Sequence, residues 1–168
     1  RQLRFIVHAD PVNAHTAHLG LNPAETIVII ISKNFQSSDN PVILNARTVL
    51  DWLVRGVQEG TASTMRTQQV LGITEDTPES LAQCREFGIA DSNIFCIPWW
   101  VNPRYSVCSA VGLLPLSLQY SYPIMSDFLD GAHDIDEHFF QAPPRDNIPV
   151  ILGLLGVWNS TFLGYSSR

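Results

Sequence analysis

Residues 27–31, Ile-Val-Ile-Ile-Ile, are five consecutive β-branched aliphatics. A strand with one wet face alternates apolar and polar side chains; this run does not. It predicts a strand buried on both faces, and therefore a parallel α/β sheet with helices on both faces. The run leads directly into Ser32, Lys33, Asn34, Phe35, Gln36 and Ser37, after which a helix is predicted. Its signals are Pro41 in the first turn and apolar residues at Val42, Ala46, Val49, Leu50, Leu53 and Val57. Ligands of open parallel sheets collect outside the carboxyl ends of strands. Here that position carries hydroxyls, an amide and a lysine, and it faces a helix start, where an anion gains roughly 0.3–1 kcal/mol. The pattern fits a phosphate cradle. It fits equally an ordinary N-cap, in which Ser37, Ser38, Asp39 or Asn40 satisfies the first backbone donors. The glycines of a nucleotide-binding P-loop are missing.

Further elements follow in order. Residues 5–7 read as a short strand, and residues 12–19 as a helix closed by Gly20, Asn22 and Pro23. Residues 58–64 form a polar loop with no evident chemistry. A third strand is expected over 70–73, then a helix capped by Thr77 with Pro78 at its first position and Gly88 past its end, and a fourth strand over 94–97 ending at Pro98. This alternation predicts parallel pairing with right-handed crossovers. Beyond Pro98 the character changes. Residues 99–105 are an aromatic loop containing Trp99, Trp100 and Arg104, and the rest is helical by period: a first helix interrupted by Pro115, a second over about 125–140, and a third that follows Pro149 and ends near Gly164. The division expected is a parallel α/β part over 1–98 and, over 99–168, an aromatic loop and helical segment packed on the same domain.

With 168 residues, 45% of them hydrophobic, the chain can bury a substantial core. A net charge of -6 argues against nucleic-acid or anionic-membrane partners, so an anionic ligand needs a local site. Cys84, Cys96 and Cys108 lack paired CxxC spacing and read as reduced thiols of a cytoplasmic protein. The longest apolar runs are broken by Pro115, or by Gly153 and Gly156, well short of a membrane span. A start at Arg1 rather than methionine suggests a fragment. No metal is expected at His15 and His18, nor in the cluster from His133 to His138, whose i,i+4 partners read as surface ion pairs. Asn159, Ser160 and Thr161 match a glycosylation pattern by chance, in a helix expected to be buried.

Arg104 has two readings. It is either glue stacked on an indole, or a cation held at the carboxyl edge of the sheet to meet developing negative charge.

The motifs resemble the central part of the glucose-6-phosphate isomerase family, in its order and at nearly its spacing. They are residues 32–37, Asn45 and Ala46, residues 86–89, residues 104–113, Gly131 to His133, and residues 149–158. The resemblance implies a sugar-isomerase (SIS) type parallel sheet that binds the phosphate of glucose 6-phosphate or fructose 6-phosphate, with no cofactor. By position, Ser32, Lys33, Asn34 and Ser37 would hold the phosphate, and Phe35 and Gln36 would shape the loop. Arg104 would be the catalytic arginine that stabilises charge as a cis-enediol(ate) forms. Asn34 and Ser37 replace family threonines, Trp99 replaces an acid, and Asn102 and Pro103 replace paired glycines. The family's glutamate base, its partner-subunit histidine and its lysine lie past the end of this sequence. The isolated chain is therefore expected to be inactive, and the intact protein to be a homodimer. Two rivals are a non-catalytic sugar-phosphate-binding regulatory module and a mainly dimer-forming structural segment.

Overall fold

The computed structural model describes residues 2–33, 35, 40–56 and 68–165. The polar loop expected over 58–64 lies outside them, as do Asn34, Gln36 and Ser37 of the expected phosphate loop, Val57 of the expected helix, and Ser38 and Asp39. The chain divides into two compact units, 1–119 and 120–168.

Among the described residues, unit 1 has three parallel strands, β1 (Val28–Ile31), β2 (Val70–Glu75) and β3 (Ile94–Ile97), in the order β1-β2-β3. Helix α1 is Pro11–His18, α2 is Pro41–Arg55 and α3 is Pro78–Phe87. α2 links β1 to β2 and α3 links β2 to β3, the alternation that parallel pairing requires. Val28, Ile30, Val70, Gly72, Thr74 and Ile94 share one pleat face by register. On that face Ile30 and Val70 join Ile43, Ala46 and Leu50 of α2 and Cys84 of α3 in one buried cluster, with Phe35 and Ile89. Ile73 and Ile97, on the opposite face, are buried as well.

The aliphatic run thus marks an edge strand rather than the central one. Only Ile30 of β1 is fully buried, whereas β2 is buried along most of its length despite Gly72. The α/β parallel sheet stands as expected from sequence, but burial on both faces belongs chiefly to β2. Residues 5–7 form no strand. Phe5 and Val7 are exposed, and the segment is tied down through Arg4, whose Nη1 donates to the carbonyls of Ala17 and Leu19 at the end of α1 (2.9 and 2.8 Å). A strand needs a partner ladder, and here the backbone finds none.

α4 (Ala110–Tyr120) is continuous across Pro115. The proline, which is buried, costs the helix one hydrogen bond. Gly112 in that helix permits a close approach, because a Cβ there would collide with the Val107 carbonyl. Gly88, past the end of α3, has φ of 97°, the left-handed conformation glycine adopts without strain.

Unit 2 contains α5 (Tyr122–Gln141), α6 (Ile148–Val157) and a π turn over Trp158–Phe162. Asn147 caps α6 by accepting from the Val150 N–H, and its amide donates to the Phe139 carbonyl at 2.8 Å. Of the acidic and histidine cluster in α5, His133 and Glu137 form the expected i,i+4 pair at 3.7 Å. His138 serves the backbone instead: its Nε2 accepts from the Ile148 N–H at 3.0 Å. Asn159, Ser160 and Thr161 are exposed, not buried as expected, because the π turn that carries them is open to solvent. Among the described residues no helix is long and apolar enough to cross a membrane.

Candidate functional site at the carboxyl edge of the sheet

Parallel pairing brings the carboxyl ends of β1, β2 and β3 to one edge. Ser32 and Lys33 leave β1 there, Glu75 and Asp76 end β2, and the turn carrying Arg104 (Pro103–Cys108) follows β3.

The ladder continues one residue past β1, with the Ser32 N–H donating to the Ile73 carbonyl at 3.0 Å. α3 then fixes the next residues. The Thr77 hydroxyl donates to Ser80 Oγ (2.9 Å), and Ser80 Oγ donates to the Lys33 carbonyl (3.1 Å). Gln83 Oε1 accepts from the Phe35 N–H (3.0 Å). The Phe35 ring is buried edge-on against Phe87, with centroids 5.7 Å apart. Phe35 is therefore an anchor, and Ser80 and Gln83 are clamps. Sequence reading of α3 as an ordinary capped helix is correct for Thr77, which accepts from the Ser80 N–H (3.2 Å), but it missed the second task of the same turn. The signal available was a Thr-Pro-x-Ser start at the carboxyl end of a strand.

Asn40 joins the two readings of the loop. Its Oδ1 accepts from the Val42 N–H and caps α2, while its Nδ2 donates to Ser32 Oγ at 3.0 Å. Ser32 and the cap of α2 are thus one hydrogen-bonded unit.

Lys33 Nζ lies 3.2 Å from Glu75 Oε1, with side chains 34% and 23% exposed. Glu75 was missed by sequence reading, since a single acid at a strand end carries no periodic signal. Beside it, partial burial and then the Asp76 carboxylate push the Cys96 thiol above its ordinary value. Arg104 is exposed, and its backbone N–H donates to Asn102 Oδ1 (3.0 Å) to start the turn. Its guanidinium pairs with neither indole nor any other described residue, so the stacking role is not realised. A separate apolar cavity of about 220 Å³, lined by residues such as Phe5, Ile29, Trp52 and Pro115, includes none of Ser32, Lys33, Phe35 or Arg104.

Chemically, the described residues at the ends of β1 and β2 offer hydroxyl and amide donors and a lysine with its counter-ion, while Arg104 stands exposed in the turn that follows β3. Such groups are of the kind that can meet an anion.

The phosphoglucose isomerase family model matches residues 1–168. The chain is 45% identical, over its whole length, to cytosolic glucose-6-phosphate isomerase 2A of Clarkia lewisii and to the cytosolic enzyme of Zea mays; it is 46% identical to that of Arabidopsis lyrata subsp. petraea. It spans 28% of the length of each. A crystal structure of a glucose-6-phosphate isomerase from Chlamydia trachomatis shares the fold, with TM-score 0.72 and 24% identity over 94% of this chain and 28% of that one. A hypothetical protein from Thermus thermophilus aligns with TM-score 0.70 and 26% identity over 88% of this chain and 33% of that one. A match from the first residue to the last, with the same parallel fold, means that the chain belongs to the phosphoglucose isomerase family.

Proposed function

We propose that this chain supplies the phosphate end of the sugar-phosphate site of a glucose-6-phosphate isomerase. The intact protein would interconvert glucose 6-phosphate and fructose 6-phosphate by proton transfer through a cis-enediol(ate). The observation that carries the reading is the clamped loop: Ser32 and Lys33 stand at the carboxyl edge of a parallel sheet, tied to α2 by Asn40 and to α3 by Ser80. In this reading Ser32, Lys33, Asn34 and Ser37 hold the phosphate, Phe35 and Gln36 shape the loop, and Arg104 meets the charge that builds on oxygen. Residues 1–98 form the sugar-phosphate-binding part and 99–168 the arginine-bearing loop with its helices. The intact protein works without a cofactor in the cytoplasm as a homodimer, in line with relatives named cytosolic. The chain alone is not a competent isomerase, because proton transfer needs a positioned base, worth about 10²–10⁴-fold.

The test is titration of the chain with fructose 6-phosphate, beside fructose, with Lys33→Ala in parallel. Saturable binding of the phosphate ester, absent for fructose and weakened about tenfold or more by the substitution, is the expected result, since a charge-assisted contact contributes about 1.5–3 kcal/mol. A folded chain that binds neither compound, or binds both alike, overturns the reading.

A further inference from the structure

We infer that Glu75 is an internal competitor for the anion at Lys33 and so sets the affinity of the phosphate end. The inference rests on the reading of that edge as an anion site.

The geometry has two fixed backbones and two side chains that meet between them. Glu75 is the last residue of the central strand, in register with Ile97 of β3, and the next residue is held by the Asp76 N–H donating to the Ile97 carbonyl at 2.9 Å. Lys33 is pinned at its carbonyl by Ser80 Oγ at 3.1 Å. The lysine side chain bridges the gap and meets Glu75 Oε1 at 3.2 Å. Both groups are partly exposed, so the pair is worth little in stability and is readily exchanged for a stronger partner. Its effect on a ligand is larger than its effect on the fold. The carboxylate cancels the one lysine of the loop, in a chain of net charge -6, and it stays beside any phosphate that displaces it. Asp76 adds a second acid at the same strand end. Affinity for phosphate is therefore held below what the donors alone would give. This favours release, which suits a site that must pass its ligand on.

Inorganic phosphate and fructose 6-phosphate, titrated separately into the wild-type chain, Glu75→Gln and Glu75→Gln/Lys33→Ala, test this. Glu75→Gln keeps the shape and removes the charge; it should tighten phosphate about fivefold, the scale of one partly screened charge contact. The gain should vanish in the double variant and shrink as salt is raised. Glu75→Asp, which withdraws the carboxylate by one methylene, should fall between and stands in if the glutamine variant does not fold. Unchanged or weaker phosphate binding in Glu75→Gln overturns the inference. If wild type binds fructose 6-phosphate through Lys33 while Glu75→Gln changes nothing, the sugar-phosphate reading survives and the role of Glu75 falls. If Glu75→Gln tightens inorganic phosphate but fructose 6-phosphate does not bind, the role of Glu75 stands and the sugar-phosphate reading falls. Failure of every variant to bind any anion overturns both.

Discussion

Helices α2 and α6 are both rich in aliphatic residues and have opposite fates. α2 keeps its apolar residues on one stripe, and Ile43, Ala46, Val49, Leu50 and Leu53 are all buried in unit 1. α6 is apolar on every side, yet none of its residues is buried, and Leu154 is 64% exposed. Hydrophobic residues alone do not make a core; a stripe facing a matching surface does. The comparison also separates what holds the fold from what remains available. The candidate site lies at the edge of the unit that holds the buried cluster.

The largest expected effect tests that contrast directly. Leu53→Ala removes a side chain with 0% exposure and should cost about 2–5 kcal/mol in urea denaturation, whereas Leu154→Ala should stay within about 0.5 kcal/mol. Equal losses would show that something packs on α6. Next comes pH. Burial pushes the Cys84 thiol from 9.0 up to about 11, so the folded state holds this proton longer than the unfolded chain. Stability from this group is fully present below pH 9.0 and is lost as pH rises toward 11, by about 2–3 kcal/mol in all; Cys84→Ala should flatten that slope in melts followed across the range. An unchanged slope would place alkaline sensitivity in another group. A smaller effect sharpens the comparison from the other side. Asn147→Ala removes the cap of α6 and should lower helical content and stability of unit 2 by about 1 kcal/mol, read by circular dichroism, with phosphate binding untouched. The smallest is Leu154→Glu. It should leave the melting temperature nearly unchanged while lowering self-association by light scattering, because a charge breaks a contiguous apolar surface.

The parts of this architecture legible in the sequence are those with local or periodic causes. The strand–helix alternation, the stripe of α2, the Thr77 cap and the i,i+4 pair of His133 and Glu137 each follow from a few neighbouring residues. Misreadings occurred where a distant partner decides. Residues 5–7 have the composition of a strand, but no ladder receives them. Pro115 reads as an interruption, yet the helix is continuous across it with the proline buried. At the site, the loop after β1 was visible as a polar break in an apolar pattern. Its clamps were not, since Ser80 and Glu75 reach Lys33 across 47 and 42 positions of sequence.

The same long reach governs how the chain can assemble. Val28 pairs with Val70, 42 positions on, and Gly72 with Ile94, 22 positions on. Neither ladder can form until the helix between its strands has turned the chain back, so loop-closure entropy is spent before pairing returns anything. Helices relax in about 0.1–1 μs, and the parallel ladders must wait for them. During that interval residues 27–31 present an apolar strand with both edges unpaired, the species most open to joining another chain. The aliphatic run that ends as an edge strand is thus the segment whose exposure limits how concentrated a refolding solution of this chain can be.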